Sequence, residues 1–247
     1  MTEFAHDTVV PDKDSNSSKK QQVAAMFDDI AFKYDFLNRF LSAGIDIRWR
    51  KKAIKQIADL HPKKILDVAT GTADVAIMAS GILKPEKIIG IDISDGMLEV
   101  GRQKVTKAGL GNIIELLNGD SETINFKNDS FDAVTVAFGV RNFQHLEKGL
   151  SEIYRVLKPG GKLVVLEFSK PKMPGVKSIY DLYMKVITPN VGKLFSKNRN
   201  AYKYLDESIQ KFPEGKNFTQ ILDNLGYLNT YCKPLSLGIC SIYCGTK

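Results

Sequence analysis

Residues 65–73, Ile-Leu-Asp-Val-Ala-Thr-Gly-Thr-Ala, with Gly90-Ile91-Asp92 ending the next apolar run, constrain this chain more than any other feature. An apolar strand leads into a loop of small residues, and a second strand ends in a carboxylate 25 residues after Asp67. Such a loop lets backbone approach a nucleoside closely, and the acid accepts hydrogen bonds from a ribose diol. Dinucleotide-binding dehydrogenases share the layout, so the spacing alone does not name the cofactor. The glycines discriminate. A pyrophosphate site calls for G-x-G-x-x-G, whereas Gly71 stands alone here among Thr70, Thr72 and Ala73. One glycine flanked by hydroxyls fits S-adenosylmethionine, which has no phosphate, better than NAD.

At 247 residues, 43% of them apolar, the chain can bury one substantial core, so one α/β domain with appendages is expected. There is no run of 18 apolar residues and no apolar signal region at the N-terminus, which predicts a cytoplasmic protein. Cys232, Cys240 and Cys244 fall in a strand-like tail without a nearby histidine, a pattern of packing rather than metal binding or disulfide formation. The net charge of +7 is unevenly spread. Between Ser169 and Lys203, Lys170, Lys172, Lys177, Lys185, Lys193, Lys197, Arg199 and Lys203 face one acid, Asp181. A second cluster, Arg48, Arg50, Lys51, Lys52 and Lys55, precedes the first strand. Nucleic acid, an anionic membrane surface or plain solvation would each account for such clusters.

Residues 1–20 are polar and predict a disordered tail. Residues 21–60 read as a helical N-terminal segment: Val23, Phe27, Ile30, Ala31, Tyr34, Leu37 and Leu41 recur at helical spacing, and a second helix spans 47–60. Strands at 63–68, 87–91, 113–117, 131–137 and 162–168 then alternate with helices at 73–81, 94–108 and 145–157, with a turn at Pro159-Gly160-Gly161. That rhythm predicts a Rossmann-like, mostly parallel sheet covered on both faces. An amphipathic helix ending at Pro189, helices near 200–210 and 216–225, and β-like runs at 227–232 and 238–244 follow. Residues 21–247 are thus expected to form one domain. Its helical insertion at 169–212 is either a lid over the substrate or a packing element on the sheet.

Several segments together resemble the ubiquinone/menaquinone biosynthesis C-methyltransferase family. They are residues 26–49, beginning Met-Phe-Asp-Asp-Ile-Ala-Phe-Lys-Tyr-Asp; Phe131-Asp132 with Ala137-Phe138-Gly139-Val140-Arg141-Asn142; Arg155-Val156-Leu157-Lys158-Pro159-Gly160-Gly161; Leu166-Glu167-Phe168-Ser169; and Tyr204-Leu205-Asp206-Glu207-Ser208-Ile209 with Phe212-Pro213. The resemblance covers residue 21 to the end and implies a class I S-adenosylmethionine-dependent methyltransferase with a seven-stranded sheet, acting on a ring carbon of a prenylated quinol. The acceptor it favours is demethylmenaquinol over the methoxy-benzoquinol of the ubiquinone branch. It places cofactor contacts on Thr72, Asp92, Asp120 and Ser121. The Gly71-Thr72 backbone and hydroxyl are suited to the methionyl carboxylate, Asp92 to the ribose and Asp120 to the adenine amino group. Simpler roles compete: Asp92 as a cap for the following helix, and Asp120 as a turn former. Ala73 replaces a glycine usual in the wider superfamily, so either its φ is negative or the loop shifts.

The acceptor ring becomes nucleophilic when its hydroxyl loses a proton, so the site must position the ring and stabilise phenolate charge. Arg141 and Asn142, in the loop after the fourth strand, are the candidate catalytic residues. Arg141 would stabilise the oxyanion or orient a water, and Asn142 would hold the quinol oxygen. His145 is a candidate base, and Tyr34 and Asp35 are candidate pocket residues. A polyprenyl tail implies peripheral contact with the inner face of an anionic membrane, through the basic 169–203 segment. A homo-oligomer is left open. No metal is expected, since the three cysteines lack a nearby histidine, and no nucleic-acid partner, because neither an Asn-Pro-Pro-Tyr-like motif nor a Pro-Cys pair is present. An RNA methyltransferase, a dehydrogenase and a non-catalytic binding module are the alternative readings.

Overall fold

A computed structural model describes residues 4–175, Ser178 and residues 199–247. The chain begins with helix α1 (Lys19–Leu41), whose N-cap Ser18 and Gln21 form a reciprocal capping box. Helix α2 (Ile45–Ile54) follows and tightens into a 3-10 turn, Lys55–Leu60, where the spacing predicted one continuous helix. The alternating part is β1 (Lys64–Val68), α3 (Asp74–Leu83), β2 (Lys87–Asp92), α4 (Asp95–Lys107), β3 (Ile114–Asn118), β4 (Phe131–Ala137), α5 (Leu146–Val156) and β5 (Leu157–Phe168). After the insertion come α6 (Arg199–Lys211), α7 (Lys216–Asn224), β6 (Leu228–Leu235) and β7 (Cys240–Thr246).

The seven strands form one sheet in the order β3-β2-β1-β4-β5-β7-β6, parallel except where β7 runs against both β5 and β6. Strand periodicity sends alternate side chains to opposite faces. Leu66, Val68, Val134, Val136, Leu163 and Val165 therefore join α5 and α7 in one core. Ile65, Ala133, Val164 and Leu166 join α2, α3 and α4 in the other. With helices on both faces, the sheet opens only at its carboxyl edge, where β1, β2 and β4 end beside the reversal of strand order. That edge is where open α/β sheets hold ligands.

Three features differ from expectation. The Pro159-Gly161 turn is a bulge inside β5: Leu157 pairs with Phe131, the next pairing joins Lys162 to Ala133, and Gly160 takes the left-handed φ of 78°. The start of the tail packs rather than trails, with His6 fully buried against Phe212 and Val9 in a cluster with Val23, Met26 and Tyr204, while residues 12–14 and 16–18 stay exposed. Scattered apolar residues in a polar segment sufficed to dock it. Finally, half of the 169–212 insertion, including the amphipathic helix ending at Pro189, lies outside the described residues. No helix among the described residues is long and apolar enough to cross a membrane.

Candidate active site

The loop after β1 is held by a buried carboxylate. Asp67 accepts hydrogen bonds from the hydroxyls of Thr70 (2.6 Å) and Thr135 (2.5 Å), and burial pushes its pKa up to about 6. Ala69, Gly71 and Ala73 all adopt left-handed φ, at 52°, 55° and 63°. Of the two alternatives for Ala73, the negative φ is therefore excluded. The loop keeps its glycine-type geometry and accepts a strain of about 1–2 kcal/mol at each alanine. Ala73, the N-cap of α3, is fully buried in the core shared by α2, α3 and α4, so tertiary packing enforces the conformation.

Beside this loop opens a cleft lined by the ends of β1, β2, β3 and β4 and roofed by one face of α1. Asp92 sits at the end of β2. Its carboxylate accepts from the backbone N–H of Gly71 (2.8 Å) and of Ser94 (3.0 Å), and burial pushes its pKa up to about 6. Gly119, Asp120, Ser121 and Glu122 line one wall, and Ala137, Gly139, Asn142 and Phe143 line another. From α1, Lys20, Val23, Phe27 and Tyr34 close the roof at helical spacing. The donor set fits S-adenosylmethionine: carboxylates for a ribose diol and an amino group, and an acidic lining that suits a sulfonium cation and repels a pyrophosphate.

The roof is tied down by polar contacts to the sheet edge. Asp28 accepts from the Ser94 hydroxyl (2.6 Å) and the Gly96 N–H (2.9 Å). Asp35 accepts from the Thr72 hydroxyl (2.6 Å) and from Lys104 (2.6 Å), which also bonds Asp74 (2.5 Å). Arg39 pairs with Asp74 at 2.6 Å and with Asp46.

Residues 15–247 match the profile of the ubiE/COQ5 methyltransferase family. The chain belongs to this family. It is 48% identical to a demethylmenaquinone methyltransferase of Bacteroides fragilis, over 94% of this chain and 96% of the relative. It is 45% identical to the ubiquinone/menaquinone biosynthesis C-methyltransferase UbiE of Geotalea daltonii, over 94% of this chain and 98% of that one. Among solved structures, a SAM-dependent methyltransferase from Thermotoga maritima superposes with a TM-score of 0.60 over 91% of this chain and 99% of its own, at 17% identity, a likeness of fold. This is an S-adenosylmethionine-dependent methyltransferase with the class I fold.

Within this methyltransferase the structure gathers Gly71, Asp92, Asp120, Ser121 and Asn142 around one cleft, together with Tyr34. Asp92 does not cap α4, whose N-cap is Ser94. Asp120 does form a turn, accepting from the Glu122 N–H (2.9 Å), while its other oxygen pairs with Lys20. Two expectations need correction. The Thr72 hydroxyl faces Asp35 and Lys104 and does not line the cleft, because α1 claims it. Arg141 is buried, donating to Glu167 (2.6 Å) and to the Phe138 carbonyl (2.8 Å), and does not line the cleft either. His145 is exposed, also outside the lining, and its backbone N–H donates to Glu122 (2.8 Å).

Sequence reasoning missed Lys20, Glu167 and Tyr204 as parts of the site. Glu167 had a signal, being a lone acid in the apolar run Leu163–Phe168. Lys20 had none, since its partner Asp120 stands 100 residues away.

Proposed function

We propose that this methyltransferase adds a methyl group to a ring carbon of a prenylated naphthoquinol, converting demethylmenaquinol to menaquinol. The observation that carries the reading is the cleft itself: an acid-lined nucleoside end at Asp92 and Asp120 meets an amide, Asn142, at the end of β4. The near full-length similarity to a demethylmenaquinone methyltransferase supports the choice of acceptor. The methoxy-benzoquinol of the ubiquinone branch is the second reading, supported by the similarity to a relative named for both pathways.

When bound, S-adenosylmethionine supplies a methyl group already activated on its sulfonium. Gly71, Thr72, Asp92, Asp120 and Ser121 hold it in this reading, Thr72 through its backbone. Asp92 takes the ribose hydroxyls and Asp120 the adenine amino group. The protein's remaining task concerns the acceptor. The C–C bond forms as the C–S bond breaks, and the ring carbon's proton leaves to solvent. Asn142 donates to the phenolic oxygen that carries negative charge during attack. Arg141, paired with Glu167 behind the cleft wall, fixes the Phe138 carbonyl by its hydrogen bond rather than touching the acceptor. Apolar Phe27, Ile93 and Met97 exclude water from the nucleoside end.

The polyprenyl tail requires the enzyme to meet its substrate at a lipid surface, and the basic 169–203 segment is the proposed contact. Vesicle flotation that is unchanged on neutralising Lys185, Lys193, Lys197 and Arg199 would overturn that contact. The functional reading is tested by transfer of labelled methyl from S-adenosylmethionine to a prenylated demethylnaphthoquinol under reducing conditions, beside the methoxy-benzoquinol. Product from the naphthoquinol is expected. Product from the benzoquinol alone would overturn the menaquinone reading.

A further inference from the structure

Helix α6 brings the Tyr-Leu-Asp-Glu-Ser-Ile motif to the wall of the cleft. Tyr204 is 3% exposed, and its hydroxyl lies 3.0 Å from Oδ1 of Asn142. On the amide's other side, Nδ2 lies 3.4 Å from the carbonyl oxygen of Phe138. A carbonyl only accepts, so the amide nitrogen must face Phe138 and the amide oxygen must face Tyr204. The tyrosine is then the donor. Burial raises its pKa, which keeps that proton in place.

The consequence is chemical. Asn142 lines the cleft with its oxygen already engaged and an N–H left over. Were the amide to rotate, it would turn a lone pair toward an acceptor that is becoming anionic. We propose that Tyr204 is a positioning residue for methyl transfer: by occupying Oδ1 it holds the Asn142 amide with its N–H toward the phenolate oxygen. This rests on the quinol-methylating reading above. Tyr204 itself touches neither ring nor cofactor. It acts through Asn142, across 62 residues of sequence.

The test uses the full-length protein with Tyr204→Phe, Asn142→Ala and the double variant. Affinity for S-adenosylmethionine, measured by calorimetry, reports on folding. Tyr204→Phe is expected to leave that affinity unchanged, to lower kcat on the order of tenfold, and to move the rising limb of the kcat–pH profile to higher pH. The double variant is expected to match Asn142→Ala, since residues acting as a unit are not additive. Asn142→Asp tests the same idea without touching the tyrosine and is expected to lose more activity than Tyr204→Phe. A Tyr204→Phe kcat within about twofold of the unsubstituted enzyme overturns the proposal, as do losses that multiply in the double variant. Should Tyr204→Phe fail to bind S-adenosylmethionine, an Asn142→Asp enzyme of full activity would overturn it. Absence of transfer by the unsubstituted protein would overturn the quinol reading and this inference together. Normal transfer by both that protein and Tyr204→Phe would overturn this inference alone.

Discussion

The carboxylate of Asp35 on α1 lies 2.6 Å from the hydroxyl of Thr72 in the β1–α3 loop, so the helix roofing the cleft is bonded to the cofactor loop itself. Lys104 of α4 donates to both residues, at 2.6 Å to Asp35 and 3.2 Å to Thr72. The roof thus senses the loop directly. Asp35→Ala is expected to loosen α1 by about 1 kcal/mol, the net worth of a partly exposed charged hydrogen bond. Faster amide exchange confined to α1, with β1 and β4 unchanged, is the expected readout. Unchanged exchange in α1 would count against the tether.

With Asp92 in its proposed role as the ribose acceptor, cofactor affinity is expected to depend on pH. Burial raises the Asp92 pKa to about 6, so that carboxylate is lost on acidification. Affinity for S-adenosylmethionine is expected to be flat from about pH 7 to 6.5 and to fall by about tenfold per unit well below pH 6. Stability has the opposite sign. Asp67 and Asp92 both have folded pKa values above the ordinary 3.8, so both bind more protons folded than unfolded between about 4 and 6. Their contribution to stability rises as pH falls through that window. Calorimetric titration from pH 5 to 7 checks the affinity. Asp92→Asn is expected to bind weakly at every pH, and a persistent slope in that variant would assign the titration elsewhere.

Gly139 allows the cleft wall to close. A β-carbon there would lie 2.5 Å from the β-carbon of Ala69 and 3.2 Å from Val136. Gly139→Ala is expected to cost about 1–3 kcal/mol through overpacking. Ala69→Gly removes the opposing methyl and the left-handed strain together, so the double variant is expected to recover most of the loss. Urea midpoints of the three variants decide it.

Glu167 and Arg141 form a buried pair, 0% and 5% exposed at their side chains, with Glu167 Oε2 and Arg141 Nε lacking partners. Burial raises the pKa of Glu167, and the guanidinium opposes that rise. Glu167→Ala strands a charge in the core and is expected to destabilise by about 3–5 kcal/mol. Glu167→Met with Arg141→Leu is expected to be far milder in stability while losing activity. A double variant as unstable as Glu167→Ala would argue that packing, not charge, dominates.

The strands, most of the helices and the nucleoside-binding end were legible from local pattern. Near-continuous apolar runs such as Ile65–Val68, and the Gly90-Ile91-Asp92 ending, report their own burial, because a parallel strand covered on both faces is largely apolar along its length. Gly71, Asp92, Asp120 and Ser121 could be placed at one sheet edge for a similar reason: Asp92 ends β2, and the others fall two or three residues past the ends of β1 and β3. Arg141 was misread as a cleft residue because nothing near it in sequence shows that Glu167, 26 residues later, takes its charge. The left-handed φ of Ala73 was not legible because an alanine disfavours it locally, whereas burial in the core at the start of α3 overrides that preference.

The sequence by itself determined the alternation of strand and helix, the position of the small-residue loop and the family to which the chain belongs, since each is written in residues that are neighbours along the chain. The tertiary structure alone decided that α1 roofs the cleft through Lys20, Asp28 and Asp35, that Thr72 turns to Asp35, and that Tyr204 meets Asn142. Those pairings join residues tens of positions apart. They exist only once two separate cores have closed on the sheet, because short-range hydrogen bonds specify a partner only after packing has brought it within reach.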